Sequence, residues 1–456
     1  MVYFYTVTED ISTYNIKVSQ NSGHYQFIMN IFQELKARGF IYQMTDEAAI
    51  EKKLATEKVV FYCGFDPTGS SLHVGHLLPV MAMRLLQKAG HVPTVLVGGA
   101  TGAIGDPSGR STARNMISME EVGHNVECLK SQLARFITLE NGEANFVNNY
   151  DWFANLRLLD FLRDIGSRFS VNRMLAQKSV ESRLENGLSF LEFSYSLLQG
   201  YDFYHLNKEF NCTLEIGGQD QWGNMVAGTE LIRRMYEEER EVHVLTIPLL
   251  INPATGQKFG KSVGGASVWL DTTRTSVFDY YQFWRNIDDA MVGELLKKFA
   301  IELPVEECIA LADCGNINRA KEILAFEATK MAHGEAAAKE AFLTAGSQFG
   351  FADPERKIAT SSAIGNIECN CIAVYPEVTI AKSELDGDGL WIVKLIVSAG
   401  MAKSNGDARR LIQGNAVKIN GEKVSNMNLS LKAADVPENE LLLQTGKKNF
   451  KKVIFA

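Results

Sequence analysis

The sequence predicts an α/β protein whose first part carries a mostly parallel sheet, followed by a helical domain and a small α+β module. Val59–Phe65 and Val92–Val97 are apolar strand candidates, and between them Leu77–Lys88 repeats apolar residues at helical spacing. A strand, a helix and a second strand within about 40 residues form a βαβ unit, which makes the two strands parallel. Cys212–Ile216 and Val244–Ile251 are later strand candidates, each before a glycine- or lysine-rich turn. Ligands bind beyond the carboxyl ends of such strands, so we expect the site in these loops.

The character of the chain changes after residue 275. Val277–Phe283, Ala290–Phe299 and Asn318–Thr344 carry helical periods with little strand signal, which predicts a helical domain. Few periodic runs occur between residues 351 and 388, which are interpreted as a connector. The predicted segments are 1–28, a disordered tail or an upstream mis-start; 29–275, the sheet domain; 276–350, the helical domain; 351–388, the connector; and 389–456, the α+β module.

The last segment is basic although the chain as a whole is acidic. Residues 389–456 contain eleven Lys or Arg and five Asp or Glu, whereas the whole chain has a net charge of −8. Leu390–Ala399 and Asp407–Gln413 are helix candidates, and Val417–Val424 alternates around an Asn-Gly pair, which predicts a β-hairpin. A small basic module on an acidic body is the asymmetry expected of an enzyme that also grips RNA.

The composition excludes several classes of protein. Hydrophobic residues make up 46% and charged residues 22%, which argues against a collagen-like or wholly disordered chain. No apolar run approaches the ~18 residues that span a bilayer, and no secretory signal is recognisable, so no membrane is expected as a partner. The seven cysteines are scattered and odd in number, which predicts reduced thiols in a cytoplasm and neither a disulfide framework nor a zinc site.

Two short motifs suggest phosphate binding. His73-Val74-Gly75-His76 stands where the first strand passes into a helix, whose N-terminal N–H groups and dipole attract phosphate. Lys258-Phe259-Gly260-Lys261-Ser262 places two lysines in a glycine-bearing loop that can close on a triphosphate. Taken alone, each motif favours an ordinary interpretation: core and solvent-facing histidines for the first, and a solvated basic turn for the second. Their order along one βαβ chain favours a nucleotide site.

A third motif lies on the predicted helix Glu192–Phe203. Tyr195, Gln199 and Asp202 share one face of this helix, although the residues around them are largely apolar. A polar stripe in such surroundings needs hydrogen-bond partners when it is buried. The stripe therefore indicates a polar binding site, and an exposed helix face is the alternative.

Two loops that follow strands complete the set. Val97–Arg110 is rich in glycine, which permits close backbone approach, and its Asp106 could hold an ammonium group. Arg110 and Arg114 lie in the polar segment that begins there. The second loop, 215–224, contains Asp and Gln side chains of the kind that suits ribose hydroxyls.

These segments together resemble the bacterial-type tyrosyl-tRNA synthetases, a family of class I aminoacyl-tRNA synthetases. The resemblance runs from about Met29 to the C-terminus and includes Tyr62–Thr68, Gly105–Gly109 and Gly218–Asn224. It implies a Rossmann-like catalytic domain, an anticodon-side helical domain and an S4-like RNA-binding domain. It also implies two reactions: the tyrosine carboxylate attacks the α-phosphate of ATP, and the terminal adenosine hydroxyl of tRNA(Tyr) then attacks the tyrosyl adenylate.

The resemblance also implies roles for individual residues. The phenol hydroxyl of tyrosine would be bound by Tyr62 and Asp202, and its ammonium group by Asp106, Tyr195 and Gln199. The ATP and the adenylate would be bordered by Cys63, Gly64, Asp66, Gly75, Gly217, Asp220, Gln221 and Lys261. The residues that act on the phosphates would be Thr68, His73, His76, Arg110, Arg114, Lys258, Lys261 and Ser262.

The implied ligands are ATP as a substrate with Mg²⁺, tyrosine and tRNA(Tyr), with no zinc and no organic cofactor, and the implied assembly is a homodimer. Two positions depart from the family pattern: Glu215 stands where glutamine is expected, and Pro79 where a small polar residue is common. Two alternatives remain open. The sister tryptophanyl enzyme is disfavoured because indole offers only a donor N–H. An RNA-binding protein that lost catalysis is disfavoured by the intact histidine and lysine motifs.

Overall fold

The computed structural model describes residues 17–21, 24–28, 30–108, 117–139, 142–177, 180, 184, 187–236, 239–251, 256, 259, 267–369, 377–446 and 449–456. The chain divides into two compact units. The first comprises Met1–Ala338 with Thr360–Ser362, and the second Lys339–Ala359 with Ala363–Ala456. Among the described residues, no helix has both the length and the apolar character needed to cross a membrane.

The first unit is built on a six-stranded sheet. The strands of this unit are β1 Lys17–Asn21, β2 His24–Ile28, β3 Gln43–Met44, β4 Val60–Phe65, β5 Val92–Val97, β6 Asn145–Asn148, β7 Cys212–Gly218 and β8 His243–Ile247. Their order in the sheet is β3-β8-β7-β4-β5-β6, and only β3 is antiparallel to its neighbour. This arrangement confirms the predicted parallel sheet. β8 is shorter than predicted because Pro248 has no N–H to extend the ladder.

Fifteen of the described helices belong wholly to the first unit. They are α1 Ile31–Arg38, α2 Glu47–Thr56, α3 Leu77–Lys88, α4 Gly99–Ile104, α5 Met119–Leu133, α6 Tyr150–Phe153, α7 Leu158–Asp164, α8 Val171–Leu175, α9 Phe190–Phe193, α10 Tyr195–Phe210, α11 Trp222–Met235, α12 Val277–Arg285, α13 Val292–Phe299, α14 Val305–Ala312 and α15 Ile317–His333. α3 has the predicted bounds. The helix predicted over Glu192–Phe203 is instead two helices, α9 and α10, that meet at Ser194.

The predicted helix Asn318–Thr344 is also interrupted. α15 ends at His333, and the next helix, α16, spans Glu335–Phe349. Gly334 separates them with a φ of +90°, a conformation that glycine adopts without a steric penalty. In the predicted tail, β1 and β2 pair as an antiparallel hairpin, for which the sequence shows no clear period.

The sheet is held against its helices by close packing. All six residues of β5 are buried, and Tyr62 of β4 packs its ring on Phe203 of α10 with centroids 5.4 Å apart. α10 and α11 approach so closely that a Cβ at Gly228 would lie 3.0 Å from the Phe203 side chain. Because these contacts leave little freedom, the side chains at the carboxyl ends of the strands have a rigid support.

The second unit contains a five-stranded sheet. Its elements are β9 Glu377–Ile380, β10 Leu390–Trp391, α17 Ile392–Ser398, α18 Asn405–Gln413, β11 Val417–Ile419, β12 Glu422–Lys423, β13 Ser430–Leu431, β14 Glu440–Thr445 and β15 Asn449–Phe455. The sheet order is β12-β11-β14-β15-β9, and β10 pairs separately with β13. The predicted hairpin is confirmed: β11 and β12 are joined by Asn420 and Gly421, both with positive φ.

Outside the hairpin β11–β12, the sequence analysis indicated none of the strands of this unit. β9 lies in the predicted connector, yet it pairs in parallel with β15, 75 positions later in the chain. Leu390–Trp391, predicted as the start of a helix, forms β10, and the helix begins at Ile392. Both strands are short and acquire their partners only in the folded chain, so no local period announces them.

Candidate functional site

A cavity of about 670 Å³ lies at the carboxyl ends of β4, β7 and β8. Every described residue that the sequence selected for the site lines it: Tyr62, Cys63, Gly64, Asp66, Thr68, His73, Gly75, His76, Asp106, Tyr195, Gln199, Asp202, Gly217, Asp220 and Gln221. The departing residues Glu215 and Pro79 line it too. Arg110, Arg114, Lys258, Lys261 and Ser262 lie outside the described residues. The cavity thus brings together residues that are up to 159 positions apart in the chain.

Asp202 is a buried carboxylate on the cavity wall with two N–H donors. Its Oδ2 accepts a hydrogen bond of 3.0 Å from Asn149 Nδ2, and its Oδ1 one of 2.9 Å from Trp152 Nε1. Burial raises the pKa of Asp202 well above its ordinary value, while the two N–H donors act in the opposite direction. Each oxygen keeps a further lone pair for a ligand hydroxyl.

The sequence analysis missed Asn149 and Trp152. Both come just after β6, whose apolar content is too low to mark it as a strand, so nothing in the sequence placed them beside α10. The signal that could have found them is the polar residues among 148–151, because polar loops that follow the strands of a parallel sheet commonly line a binding site.

Tyr195 begins a chain of hydrogen bonds that crosses the cavity wall. Its hydroxyl donates to Asp66 Oδ2 at 2.8 Å, and Asp66 Oδ1 accepts from Thr101 Oγ1 at 2.8 Å. Thr101 Oγ1 in turn accepts from Asn149 Nδ2 at 3.0 Å, so the chain ends at the partner of Asp202. Burial first, and then the nearby Asp66 charge, raises the pKa of Tyr195 well above its ordinary value, so the phenol keeps its proton.

Asp106 and Gln221 form a second polar group on the cavity wall. Gln221 Nε2 donates to Asp106 Oδ2 at 2.6 Å, and the backbone N–H of Ser108 donates to Asp106 Oδ1 at 2.9 Å. Asn224 Nδ2 holds Gln221 by donating to its Oε1 at 3.2 Å. A buried carboxylate oriented by two N–H groups is suited to bind a cation.

Glu215 joins Tyr62 to Gln199. It is only 2% exposed, and it is the cross-strand partner of Tyr62 where β7 pairs with β4. Gln199 Nε2 donates to Glu215 Oε1 at 3.0 Å. Among the described residues, Gln199 Oε1 is buried without a hydrogen-bond partner, and the buried Tyr62 hydroxyl lies within hydrogen-bonding influence of Glu215. Burial raises the pKa of Glu215 to about 7, although Gln199 and Tyr62 oppose this shift.

The histidine motif forms the opposite side of the cavity. His73 and His76 stack with ring centroids 3.8 Å apart, immediately before α3. His76 Nδ1 accepts from the His73 backbone N–H at 3.1 Å, and His73 Nδ1 accepts from the Gly75 N–H at 3.1 Å. A Cβ at Gly75 would lie 2.9 Å from His73 Cε1 and 3.2 Å from the Phe259 carbonyl oxygen. The rings are therefore fixed, and residue 75 has to be small.

The Cys63 thiol also lies on the cavity wall. Burial raises the pKa of the Cys63 thiol, so this side chain is a neutral part of the wall. Among the described residues, no three His, Cys, Asp or Glu side chains are grouped so as to hold a metal ion. The donors at the histidine end are imidazoles and backbone N–H groups, which match phosphate oxygens in character.

Comparison with known proteins gives family matches over both units. The family model described as tRNA synthetases class I (W and Y) matches residues 53–349, and the tyrosine–tRNA ligase SYY-like C-terminal domain matches residues 375–453. A tyrosine–tRNA ligase of Clostridium beijerinckii is 45% identical over 93% of this chain and 99% of its own length. One of Clostridium botulinum is 44% identical over the same shares.

A solved structure has the same fold as most of the first unit. It is a C-terminally truncated mitochondrial tyrosyl-tRNA synthetase of Aspergillus nidulans, 28% identical to this chain with a TM-score of 0.61. The match covers 69% of this chain and 92% of that one.

Proposed function

The chain belongs to the class I tyrosine–tRNA ligases, and from this premise we propose that it charges tRNA(Tyr) with tyrosine through a tyrosyl adenylate. In the first step the tyrosine carboxylate attacks the α-phosphate of ATP, and pyrophosphate leaves. In the second step the 3′-terminal adenosine hydroxyl of the tRNA attacks the adenylate carbonyl, and AMP leaves. The chain supplies position and charge for both steps, without a protein nucleophile.

One observation carries the choice of amino acid. Asp202 and Tyr62 bring a hydrogen-bond acceptor and a buried hydroxyl to the same end of the cavity. A phenol hydroxyl both donates and accepts, so it satisfies the two groups together. The phenyl ring of phenylalanine satisfies neither group, and the indole of tryptophan can only donate. The buried groups would then stay unpaired, which is costly, and this favours tyrosine.

The ammonium group of tyrosine has its own candidates. Asp106 offers a carboxylate, Gln199 an unpartnered carbonyl oxygen and Tyr195 a phenol oxygen, all on the wall of the same cavity. These three acceptors surround a cation better than a neutral group. The amino acid would thus extend from Asp202 toward Asp106, with its carboxylate toward the nucleotide.

The nucleotide would lie along the histidine motif. The N–H groups at the start of α3 and the two fixed imidazoles suit phosphate oxygens, and the small Gly75 leaves room for a flat base. Thr68, Gly217 and Asp220 line the same side of the cavity. Mg²⁺ would enter with the phosphates of ATP and neutralise part of their charge. We assign Lys258, Lys261, Ser262, Arg110 and Arg114 to the triphosphate on the sequence motif alone.

The second unit would hold the tRNA as an S4-like RNA-binding module. Lys418 and Lys423 lie directly opposite each other on the exposed hairpin β11–β12. Like charges in this position destabilise a strand pair, so their presence favours a role in binding an anion such as the RNA backbone. Arg409 is exposed on α18 and lies over the Trp391 ring at 5.2 Å.

The assembly would be a homodimer. Leu158 and Leu159 on α7 are 69% and 78% exposed, and Leu162 and Phe190 are also exposed. α7 has no buried residue of its own, so no described part of the chain covers this apolar helix surface. A second copy of the chain would bury it. Because its tRNA substrate is used in protein synthesis, the chain would work in the cytoplasm.

The test is tyrosine-dependent exchange of labelled pyrophosphate into ATP without tRNA. Exchange with tyrosine, and much less with phenylalanine or tryptophan, is the expected result. Exchange with tryptophan instead would favour the sister enzyme. Folded protein that binds tRNA and supports no exchange with any amino acid would favour an RNA-binding protein that lost catalysis.

A further inference from the structure

Glu215 creates a conflict over a single hydrogen atom, given the tyrosine site proposed above. The phenol hydroxyl of the substrate would donate to Asp202, which has lone pairs left and carries no hydrogen of its own as a carboxylate. The phenol oxygen can then only accept, and its donor has to be the Tyr62 hydroxyl. Tyr62 has one hydrogen. As a carboxylate, Glu215 would compete for that hydrogen through a stronger, charge-assisted bond.

The geometry makes this competition unavoidable. Tyr62 and Glu215 are paired residues on adjacent parallel strands, so their side chains point to the same face of the sheet. Glu215 Oε1 is engaged by Gln199 Nε2, and the buried Tyr62 hydroxyl lies close enough to Glu215 to lower its pKa through a hydrogen bond. Glu215 is also among the groups that raise the pKa of Tyr62, after burial itself, which places the two in electrostatic contact.

We propose that Glu215 binds tyrosine as a neutral acid: its carboxyl hydrogen, on Oε2, is donated to Tyr62 Oη, so that the Tyr62 hydrogen is free for the substrate. One chain of donors then runs from Glu215 through Tyr62 and the phenol to Asp202, and no group is left unpaired. Glu215 Oε1 still accepts from Gln199. The proton comes from solvent when tyrosine binds to the carboxylate form, and it returns to solvent on release. Glu215 is thus a positioning residue that acts on substrate through Tyr62.

Comparison with its ionisable neighbours favours Glu215 itself as the group that takes up the proton when tyrosine binds. They come from its own strand, from β4 and from α10, and they are Cys212, Tyr62, Cys63 and Asp202. The β8 residue opposite, Val244, is apolar. Burial raises the pKa values of both thiols and of Tyr62, so these groups stay neutral near pH 7. Burial raises the pKa of Asp202 too, but Asp202 accepts from two N–H donors and Glu215 from one, so we assign the proton to Glu215.

The sign of the pH effect follows from this assignment. Free Glu215 has a pKa of about 7, so it is mostly protonated below that pH and mostly ionised above it. Tyrosine binds the protonated form and therefore raises this pKa. Tyrosine binding should weaken as the pH rises, by about fivefold between about pH 6.5 and about pH 8.5 if the pKa shifts by one unit.

The experiment is calorimetric titration of the full chain with L-tyrosine across this pH range. The titration is repeated in buffers of different ionisation enthalpy, which gives the number of protons taken up when tyrosine binds. This measurement needs only the wild-type chain. For a shift of one unit from about 7, we expect net uptake of about half a proton near about pH 7.5. Glu215→Gln, whose amide N–H donates to Tyr62 at every pH, should bind tyrosine with little pH dependence and without the uptake. Glu327→Gln is the matched control, because Glu327 is also buried with a raised pKa and lies outside the cavity.

Each other outcome overturns the inference. Uptake that persists in Glu215→Gln would assign the proton to another group, of which Asp202 is the first candidate. Tyrosine binding that strengthens as the pH rises would make Glu215 a carboxylate counter-charge to the ammonium group. If the wild-type chain binds tyrosine without proton uptake, the neutral form of Glu215 is refuted, whereas the proposed function is not. A chain that binds no tyrosine at any pH would refute the proposed function and the inference with it.

Discussion

The hydroxyl of Tyr195 donates a hydrogen bond of 2.8 Å to Asp66, although the two residues are 129 positions apart. Tyr195 begins α10, which carries the residues assigned to the amino acid, and Asp66 follows β4, which leads to the histidine motif. Thr101 holds the other Asp66 oxygen. This bond therefore joins the wall assigned to tyrosine to the wall assigned to ATP.

Tyr195→Phe should separate these two walls. The change leaves one oxygen of the half-buried Asp66 without this donor, a loss worth about 1–3 kcal/mol, so we expect kcat/KM for pyrophosphate exchange to fall by roughly tenfold to a hundredfold. The measurement is exchange at varied tyrosine and ATP. Tyr150→Phe is the control, because Tyr150 is an exposed residue outside the cavity. An unchanged kcat/KM in Tyr195→Phe would show that this bond is incidental.

Asp202→Asn should weaken the discrimination of tyrosine from phenylalanine. The amide keeps the shape of the carboxylate, but it brings N–H hydrogens toward Asn149 and Trp152, which themselves donate. We expect at least a tenfold loss of tyrosine affinity and some loss of thermal stability, since removing a charged acceptor costs about 1.5–3 kcal/mol. Calorimetry with both amino acids and a melting curve measure the two effects. Asp313→Asn is the control, because Asp313 is exposed and lies outside the cavity. Unaltered selection would refute the placement of Asp202 at the phenol.

Gly75→Ala should impair the use of ATP and spare tyrosine binding. The added methyl would lie 2.9 Å from His73 Cε1 and 3.2 Å from the Phe259 carbonyl oxygen, so the stacked imidazoles would have to move. We expect at least a tenfold rise in the KM for ATP, with the tyrosine Kd unchanged within about twofold. Gly123→Ala, which meets no atom within 4 Å on an exposed helix, should change neither value. Equal losses for both ligands would indicate general misfolding.

Replacing Lys418 and Lys423 by glutamine should affect only the reaction with tRNA. Removing two like charges that face each other on β11 and β12 should not destabilise the hairpin. If both lysines bind phosphates, the affinity for tRNA should fall and its salt dependence should become shallower. Pyrophosphate exchange, aminoacylation and binding at two salt concentrations measure this. Lys357→Gln is the control, since Lys357 pairs with Glu355. Full aminoacylation by the double variant would exclude this hairpin as a tRNA contact.

Leu159→Glu should convert the dimer to a monomer. Leu159 is 78% exposed, so the free chain loses little from the change, whereas a charge inside an apolar interface is costly. Light scattering behind size-exclusion chromatography should give twice the chain mass for the wild type and the chain mass for the variant. Lys208→Glu, at another exposed surface, should remain dimeric. A wild-type chain that is monomeric at all concentrations would refute the dimer.

The sequence by itself determined the βαβ arrangement of β4, α3 and β5 and the identity of the site residues it selected. Helical and strand periods are local properties of the sequence, so α3 and β5 have their predicted bounds. The Asn420-Gly421 pair predicts a hairpin turn because the turn needs residues with positive φ. Parallel strands all run in one direction, so the loops that follow their carboxyl ends meet at one edge of the sheet. The candidate residues could therefore be chosen before their distances were known.

The tertiary structure decided which polar groups satisfy one another. Asn149 and Trp152 reach Asp202, and β9 reaches β15, through contacts between distant parts of the chain that leave no local period. The sequence marked Glu215 only as an unusual residue. Its pairing with Tyr62 across two strands, together with burial that removes water from both, turns it into a group with a proton to supply. Hydrogen-bond partners and burial depend on the whole fold, which is why periodicity and spacing could not give them.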